Sequence, residues 1–547
     1  SILFFCISDL AGIDPMYQYS LGWFTNLFVL SIDNCKAEKA DLEVRLPALN
    51  EDFTYLLYCN ICRSLFVAHK LLFSFLLCVR IMNGDGKINM TLFRFYLTGA
   101  LKINEGGPPN PAPKWMTDKS WNDLIDLQKQ EGFAGLCDSI AADPDAWEAF
   151  YESKTAQDDP LPGDWPEKLD RFQSMVVLRC VRPDVVVPAA LQFVQTEMAV
   201  RYVEPPPFDL QACFNDSNCT TPLIFVLSSG ADPLDNMFAL ARKMKYMEML
   251  ESTSLGQGQG PIATALIEKA VVDGSWVLLQ NCHLAPSWMP SLEQICDSFS
   301  VEKTSPNFRL WLTSAPSPSF PISILQNGVK MTYEPPKGLK ANVMGSYHAI
   351  EDDWFEASNK PESFKKLLFG LSFFHAIIQE RRKFGPLGWN IPYEFNDTDY
   401  KISMQQLQLF IDNYEETQWK ALNYLTGQCN YGGRVTDDHD RKTLVMLLRD
   451  YICPSILDDS SRFDGNPQYY APPEGDRQSY LDFTYALPTN DDPLVFGMHP
   501  NAEITCALNE TGEVLGTILS LQPATAGGGG KTPEEVVDEL AEDILDK

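Results

Sequence analysis

The spacing of apolar residues changes near Glu204-Pro-Pro-Pro-Phe208 and divides the chain into stretches of different period. Before it, helical spacing prevails. Ser1 to Cys35 reads as packed helix broken at Asp14-Pro15. Glu51 to Phe66 and Lys70 to Met82 read as a helical pair, and Ser120 to Leu136, Trp147 to Ser153 and Pro188 to Val200 as further helices. The proline-rich run from Gly106 to Lys114 lacks the backbone donors of a helix or inner strand and reads as a surface loop. After the change, Pro222 to Leu227, Ser275 to Leu279 and Phe308 to Leu312 are short apolar runs suited to buried strands. Leu234 to Glu251, Pro261 to Val272 and Trp288 to Ser298 are the helices between them, so the pattern predicts a parallel sheet covered on both faces. From Ser363 to Arg382, Phe364, Leu367, Leu368, Leu371, Phe374, Ile377 and Ile378 keep helical spacing until Gly385-Pro386. Ile402 to Tyr414, Gln418 to Leu425 and Asp440 to Tyr451 complete a helical region. Short strands are expected near Ile504 to Leu508 and Val514 to Leu521, then a Gly-rich loop and an acidic helix. The predicted fold class is α/β plus all-α.

Composition bounds this picture. A length of 547 residues predicts roughly three or four domains, and 45% apolar with 21% charged residues is the make-up of folded protein. The formal charge of -30 opposes nucleic acid, anionic membrane and the microtubule surface as direct partners of the bulk of the chain. Fourteen scattered cysteines predict reduced thiols in place of a disulfide scaffold. Arg63, His69 and Lys70 interrupt the apolar stretch from Thr54 to Val79, which therefore reads as two buried helices and not a membrane span. The start, Ser1-Ile-Leu-Phe-Phe-Cys6, has no initiator Met and no basic region, and reads as an internal cut.

The α/β region invites comparison with ATP-binding domains. There the loop after the first strand reads G-x-x-x-x-G-K-[ST], in which glycines admit phosphate, Lys neutralises charge and the hydroxyl holds Mg²⁺. Here it reads Ser228-Ser229-Gly230-Ala231-Asp232-Pro233, and no Lys or Arg follows until Arg242. Asp232 repels a triphosphate and Pro233 removes a donor. The next apolar run ends in Gln280-Asn281, where metal binding and water activation require carboxylates; neutral amides cannot act as general bases. The third ends at Thr313-Ser314, whose hydroxyls do not repair those losses. The pattern alone leaves two readings open, a decayed ATP site and an α/β domain unrelated to nucleotide folds.

Other motifs have plainer explanations. Gly527-Gly-Gly-Gly-Lys-Thr532 puts Thr525 where the first P-loop Gly belongs, and Thr532, Pro533 and Glu535 fit a helix N-cap. Asn83-Gly-Asp-Gly-Lys-Ile88 resembles the middle of a calcium loop, but places Ile81 and Leu92 where carboxylates are required. Cys59-x-x-Cys62 has no second pair at zinc-site spacing. Gly256-Gln-Gly-Gln-Gly-Pro261 fails the dinucleotide pattern at Pro261. His283 and His375 stand in apolar contexts that suit hydrogen-bonded core positions. No metal site is expected.

Four segments, Pro222 to Pro233, Gly258 to Pro261, Gly274 to Ala285 and Phe308 to Thr313, resemble the sixth AAA+ module of dynein heavy chains. Phe374 to Arg381, Gly385 to Trp389 and Asn430 to Asp438 resemble that module's helical small subdomain. Ile13 to Leu21 resembles the junction between the strut helices and the fifth module's small subdomain. Met16-Tyr-Gln-Tyr-Ser20 and Asn430-Tyr-Gly-Gly-Arg434 look closer to axonemal than to cytoplasmic chains.

The resemblance implies five regions: 1–35, a strut helix end; 36–204, the fifth module's helical small subdomain and a linker; 205–345, the α/β large subdomain of the sixth; 346–500, its small subdomain; 501–547, the start of a C-terminal region. It implies an AAA+ P-loop-like parallel sheet domain with helical small subdomains on either side. Catalytic residues and a cofactor are then absent from this segment: Ser228 to Pro233 is a degenerate P-loop, Gln280-Asn281 a degenerate Walker B position and Thr313-Ser314 a degenerate sensor. ATP and Mg²⁺ would act elsewhere in the parent motor. The implied partners are the remaining ring modules, a microtubule reached through a stalk tip outside this chain, and indirectly intermediate and light chains. Nucleic acid and membrane are not implied. The implied place is the cytoskeleton of a cilium or flagellum. An autonomous ATPase with an unrecognised site and a free-standing scaffold are the alternatives.

Overall fold

The computed structural model describes residues 2–34, 42–102, 107–205, 208–228, 231–256, 258–463, 467–488 and 491–522. In the first lobe, α1 (Ile2–Asp9), α2 (Leu21–Asn34), α3 (Leu42–Cys62), α4 (Val67–Gly84), α5 (Met90–Thr98), α6 (Asp118–Leu127), α7 (Arg171–Val181) and α8 (Val186–Glu197) contribute to one apolar core. Side-chain caps set several starts: Asn89 accepts from the Thr91 and Leu92 N–H groups, and Asp170 with Gln173 forms a capping box on α7. α4 is long and apolar enough to cross a membrane, yet Leu72 to Val79 are all buried inside this lobe. The helix expected from Ser120 to Leu136 stops at Leu127. Gly132 and Gly135 take positive φ (93° and 82°) in the turn before the next helix, Leu136–Ala142.

Five strands form the sheet: β1 (Leu223–Leu227), β2 (Leu250–Ser254), β3 (Trp276–Gln280), β4 (Arg309–Ser314) and β5 (Val329–Tyr333). All pairings are parallel, in the order β2-β3-β4-β1-β5. α9 (Leu234–Lys243), α10 (Gly260–Asp273), α11 (Met289–Asp297) and α12 (Ile322–Asn327) connect them. Strand alternation divides β1 between two cores: Ile224 and Val226 meet Ala263, Ile267 and Leu292, while Leu223, Phe225 and Leu227 meet Met237, Leu240 and Ala241. The helix expected from Leu234 to Glu251 instead ends at Lys243, turns at Lys245 (φ 61°) and gives way to β2.

The second lobe is built on α13 (Leu339–His348), α14 (Pro361–Glu380), α15 (Asp397–Asn413) and α16 (Asp438–Tyr451). α14 is its axis: every residue from Phe364 to Ile378 is buried, as a helix surrounded by others requires. Its buried lysines are matched, Lys365 to Glu356 (2.7 Å) and Lys366 to Asp459 (2.6 Å).

The strands expected at Ile504–Leu508 and Val514–Leu521 do not form; one helix, α17 (Asn501–Ser520), covers both stretches. At 20 residues it is about 30 Å long. Ala502 is buried in the second lobe's core, whereas Leu515 and Ile518 are buried in the first lobe's. Tertiary packing at both ends overrides the local β-branched pattern. The Gly-rich loop, its cap at Thr532 and the acidic helix expected beyond it lie outside the described residues.

Candidate functional site

In an open parallel sheet the place for ligands is the crevice at the carboxyl ends of the strands, where connections leave in opposite directions. The central position of β4, between β1 and β3, brings the three sequence-predicted segments to that one end.

After β1, the Ser228 N–H donates to the Tyr333 carbonyl (3.1 Å) and its hydroxyl is buried without a partner among the described residues. Ser229 and Gly230 lie outside the described residues. The Ala231 N–H returns to the Ser228 carbonyl (3.1 Å), and the Asp232 carboxylate accepts from the Leu234 N–H (3.0 Å). Pro233 is the residue before α9, so this helix N-terminus has one donor fewer and an aspartate over it. Tyr333 reports the local field: burial, then Asp232, Asp235 and Asp397, push its hydroxyl pKa up. Arg242 and Lys243 stand in the last turn of α9, about 13 Å along its axis from the loop. A carboxylate, not a cation, therefore stands at the start of α9.

At the end of β3, Asn281 takes a left-handed conformation (φ 58°), which Asn tolerates better than most residues. Its N–H donates to the Thr313 hydroxyl at the end of β4 (3.0 Å), and its side-chain amide donates to the Ser254 hydroxyl at the end of β2 (3.3 Å). The Gln280 carbonyl accepts from the Leu255 N–H (2.8 Å), and the buried Ser314 hydroxyl donates to the Ala315 carbonyl (2.8 Å). His283 Nδ1 accepts from the Ala315 N–H (3.0 Å), and burial pushes its pKa down, so it stands as a neutral acceptor. These groups join neighbouring strand ends to one another. The amides and hydroxyls among them are neutral and do not act as general bases near pH 7.

Ser254 and Tyr333 stand on β2 and β5, two strands absent from those that the apolar runs predict. β2 offers only Leu250 and Thr253 in a polar run, whereas β5 alternates Val329, Met331 and Tyr333 with Lys330 and Thr332. His375 is 1% exposed, with Nδ1 3.0 Å from the Tyr431 hydroxyl and its ring stacked on Tyr400, in the core position expected of it. The thirteen described cysteines are all free. Cavities of about 440 and 460 Å³ lie away from the crevice, one in the first lobe beside Phe150 and Met175, the other between that lobe and the sheet beside Arg63 and Phe208.

A five-stranded parallel sheet in this order, with a polar crevice at the ends of β1, β3 and β4 and helical lobes beside it, defines an AAA+ P-loop-like domain with helical lids. Residues 218–332 match the family model described as "Dynein heavy chain region D6 P-loop domain", and residues 364–502 that of the "Dynein heavy chain AAA lid domain". The whole chain is similar to "Dynein axonemal heavy chain 1" of Rattus norvegicus (47% identical over 546 residues) and to "Dynein axonemal heavy chain 3" of Homo sapiens (48% over 550). It is also similar to "Dynein-1-beta heavy chain, flagellar inner arm I1 complex" of Chlamydomonas reinhardtii (42% over 552). All of this chain is covered in each case, and it spans 12%, 13% and 12% of the respective relatives. The chain belongs to the dynein heavy-chain family, as a motor-ring region homologous to that of axonemal dyneins.

Proposed function

We propose that this segment is a nucleotide-incompetent, structural part of the dynein motor ring. It closes the AAA+ ring and passes conformational change between its neighbours by rigid-body motion of packed subdomains. The observation that carries this reading is the bonding of Asn281 to Thr313 and Ser254, together with Asp232 over α9, where a hydrolytic site needs carboxylates and a lysine. Residues 1–35 are then a strut helix end and 36–204 the small subdomain and linker of the fifth module. Residues 205–345 and 346–500 are the large and small subdomains of the sixth, and 501–547 begins the C-terminal region.

ATP and Mg²⁺ act elsewhere in the parent chain, which drives microtubule-based movement in a cilium or flagellum. The partners of this segment are the other ring modules; the microtubule and the intermediate and light chains are reached through other parts of the motor. Calorimetric titration of this chain with Mg²⁺-ATP and Mg²⁺-ADP tests the reading. No binding heat is expected up to millimolar nucleotide. Micromolar binding that disappears when the Ser228 to Pro233 loop is replaced would overturn it.

A further inference from the structure

The outer edge of β5 is met by two separate pieces of the first lobe, the segment just before α2 and the turn between α3 and α4. The Thr332 N–H donates to the Arg63 carbonyl (3.0 Å) and its hydroxyl to the Leu65 carbonyl (2.8 Å). Glu334 accepts from the Val67 N–H (2.6 Å). Tyr17 accepts from the Phe66 N–H (3.0 Å) and pairs with His69 (2.8 Å), while Tyr19 bonds Ser64. The roots of α2 and α3 are thus fastened together and to the sheet.

Lys330 lies at the centre of this junction, 5% exposed. Its Nζ donates to the Gln18 carbonyl (2.5 Å) and the Leu325 carbonyl (2.6 Å), and stands 3.9 Å from the centre of the Tyr19 ring. Among the described residues no carboxylate pairs with it: Asp14 is bonded to the Met16 N–H, Glu334 to the Val67 N–H and Asp216 to Arg63. Two carbonyls match the two N–H bonds of a neutral amine, and a third N–H finds only a ring face. The charged group that acts on it is Arg63, of like sign; Tyr19 beside it is neutral, its pKa pushed up by burial. His69 is lowered by burial, and β1 and α12 carry no charged residue. Burial, reinforced by Arg63, pushes the amine pKa down to about 7.

We propose that Lys330 makes this junction proton-sensitive, so that the roots of α2 and α3 are held more tightly to β5 when its amine is neutral than when it is charged. An amine released to solvent titrates near 10.4, so opening takes up a proton. The closed junction therefore gains on the open one as pH rises from about 7 toward that value, and below pH 7 the balance is level. The inference concerns the join between lobe and sheet and stands apart from nucleotide binding.

Hydrogen exchange of the whole chain, corrected for intrinsic rates, tests it in peptides covering residues 14–20, 63–68 and 329–334. Between pH 7.0 and 8.5 protection should rise roughly tenfold or more. Lys330→Met should be protected at every pH with no slope. Lys330→Arg, charged throughout, should be less protected and equally flat. His69→Gln should keep the slope. A pH-independent wild type, a slope that survives in the Lys330 variants, or a slope lost with His69 would each overturn the proposal.

Discussion

Gly370 and Gly512 both sit inside helices, yet replacement by Ala should move stability in opposite directions. A Cβ built on Gly370 lies 2.5 Å from the Tyr451 carbonyl oxygen and 2.4 Å from Ile456 Cδ1. The side-chain methyl can rotate away, but the carbonyl belongs to the end of α16 and cannot. An ordinary carbon–oxygen contact is about 3.2 Å, so the two helices must separate by about 0.7 Å, and α14 is buried all round. Overpacking of this kind costs about 3 kcal/mol, against about 1 kcal/mol gained in helix propensity. Gly370→Ala should therefore destabilise the second lobe by about 2 kcal/mol. Gly512 has nothing within 4 Å of its built Cβ, and its substitution keeps only the propensity gain of about 1 kcal/mol. In scanning calorimetry, at about 2–4 °C per kcal/mol for a lobe of this size, Gly370→Ala should lower the melting temperature by about 4–8 °C and Gly512→Ala raise it by about 2–4 °C. If both variants shift the same way, or Gly370→Ala melts like the wild type, the close-contact argument is wrong.

Asp123 is buried in the first lobe, where one oxygen accepts from Arg179 (2.8 Å) and the other from the Ala100 N–H (2.9 Å). Asp123→Ala leaves the guanidinium buried and unpaired, and should cost about 3–5 kcal/mol in urea unfolding. Asp397, 3.6 Å from His375 Nε2, has its pKa lowered below the ordinary carboxylate value, chiefly by the facing imidazole. A depressed carboxyl contributes stability that is present above its unfolded pKa and lost as pH falls through the folded one. The group is largely exposed, so Asp397→Asn should cost no more than about 1 kcal/mol near pH 6, with the difference from wild type vanishing near pH 2 in acid titrations.

The central strands were legible because burial on both faces confines polar residues to the ends of β3 and β4 and leaves β1 with none, so continuous apolar runs result. β2, Leu-Glu-Ser-Thr-Ser, was hidden because it is an edge strand and only partly buried. β5 was hidden for another reason: Lys330 and Thr332 are covered by residues 18, 63 and 65, about 270 to 310 positions away, and local periodicity carries no record of such contacts. The candidate site was readable as a set of missing residue types. What replaces them was not, since the Asn281 N–H reaches Thr313 only because β4 lies beside β3. The strands expected within α17 rest on local pattern alone, while the packing that sustains the helix comes from two different lobes.

That last helix sets a condition on biosynthesis. Leu72, Phe75, Tyr96, Val186 and Ala190 form the seam that receives Val514, Leu515 and Ile518, so the first lobe's core stays open after Tyr202 is made until about 310 further residues have been added. At roughly 5–20 residues per second a ribosome takes about 15–60 s over that stretch. For all that time an apolar groove stands uncovered on a nascent chain, and any transcript truncated before residue 514 would leave it uncovered for good.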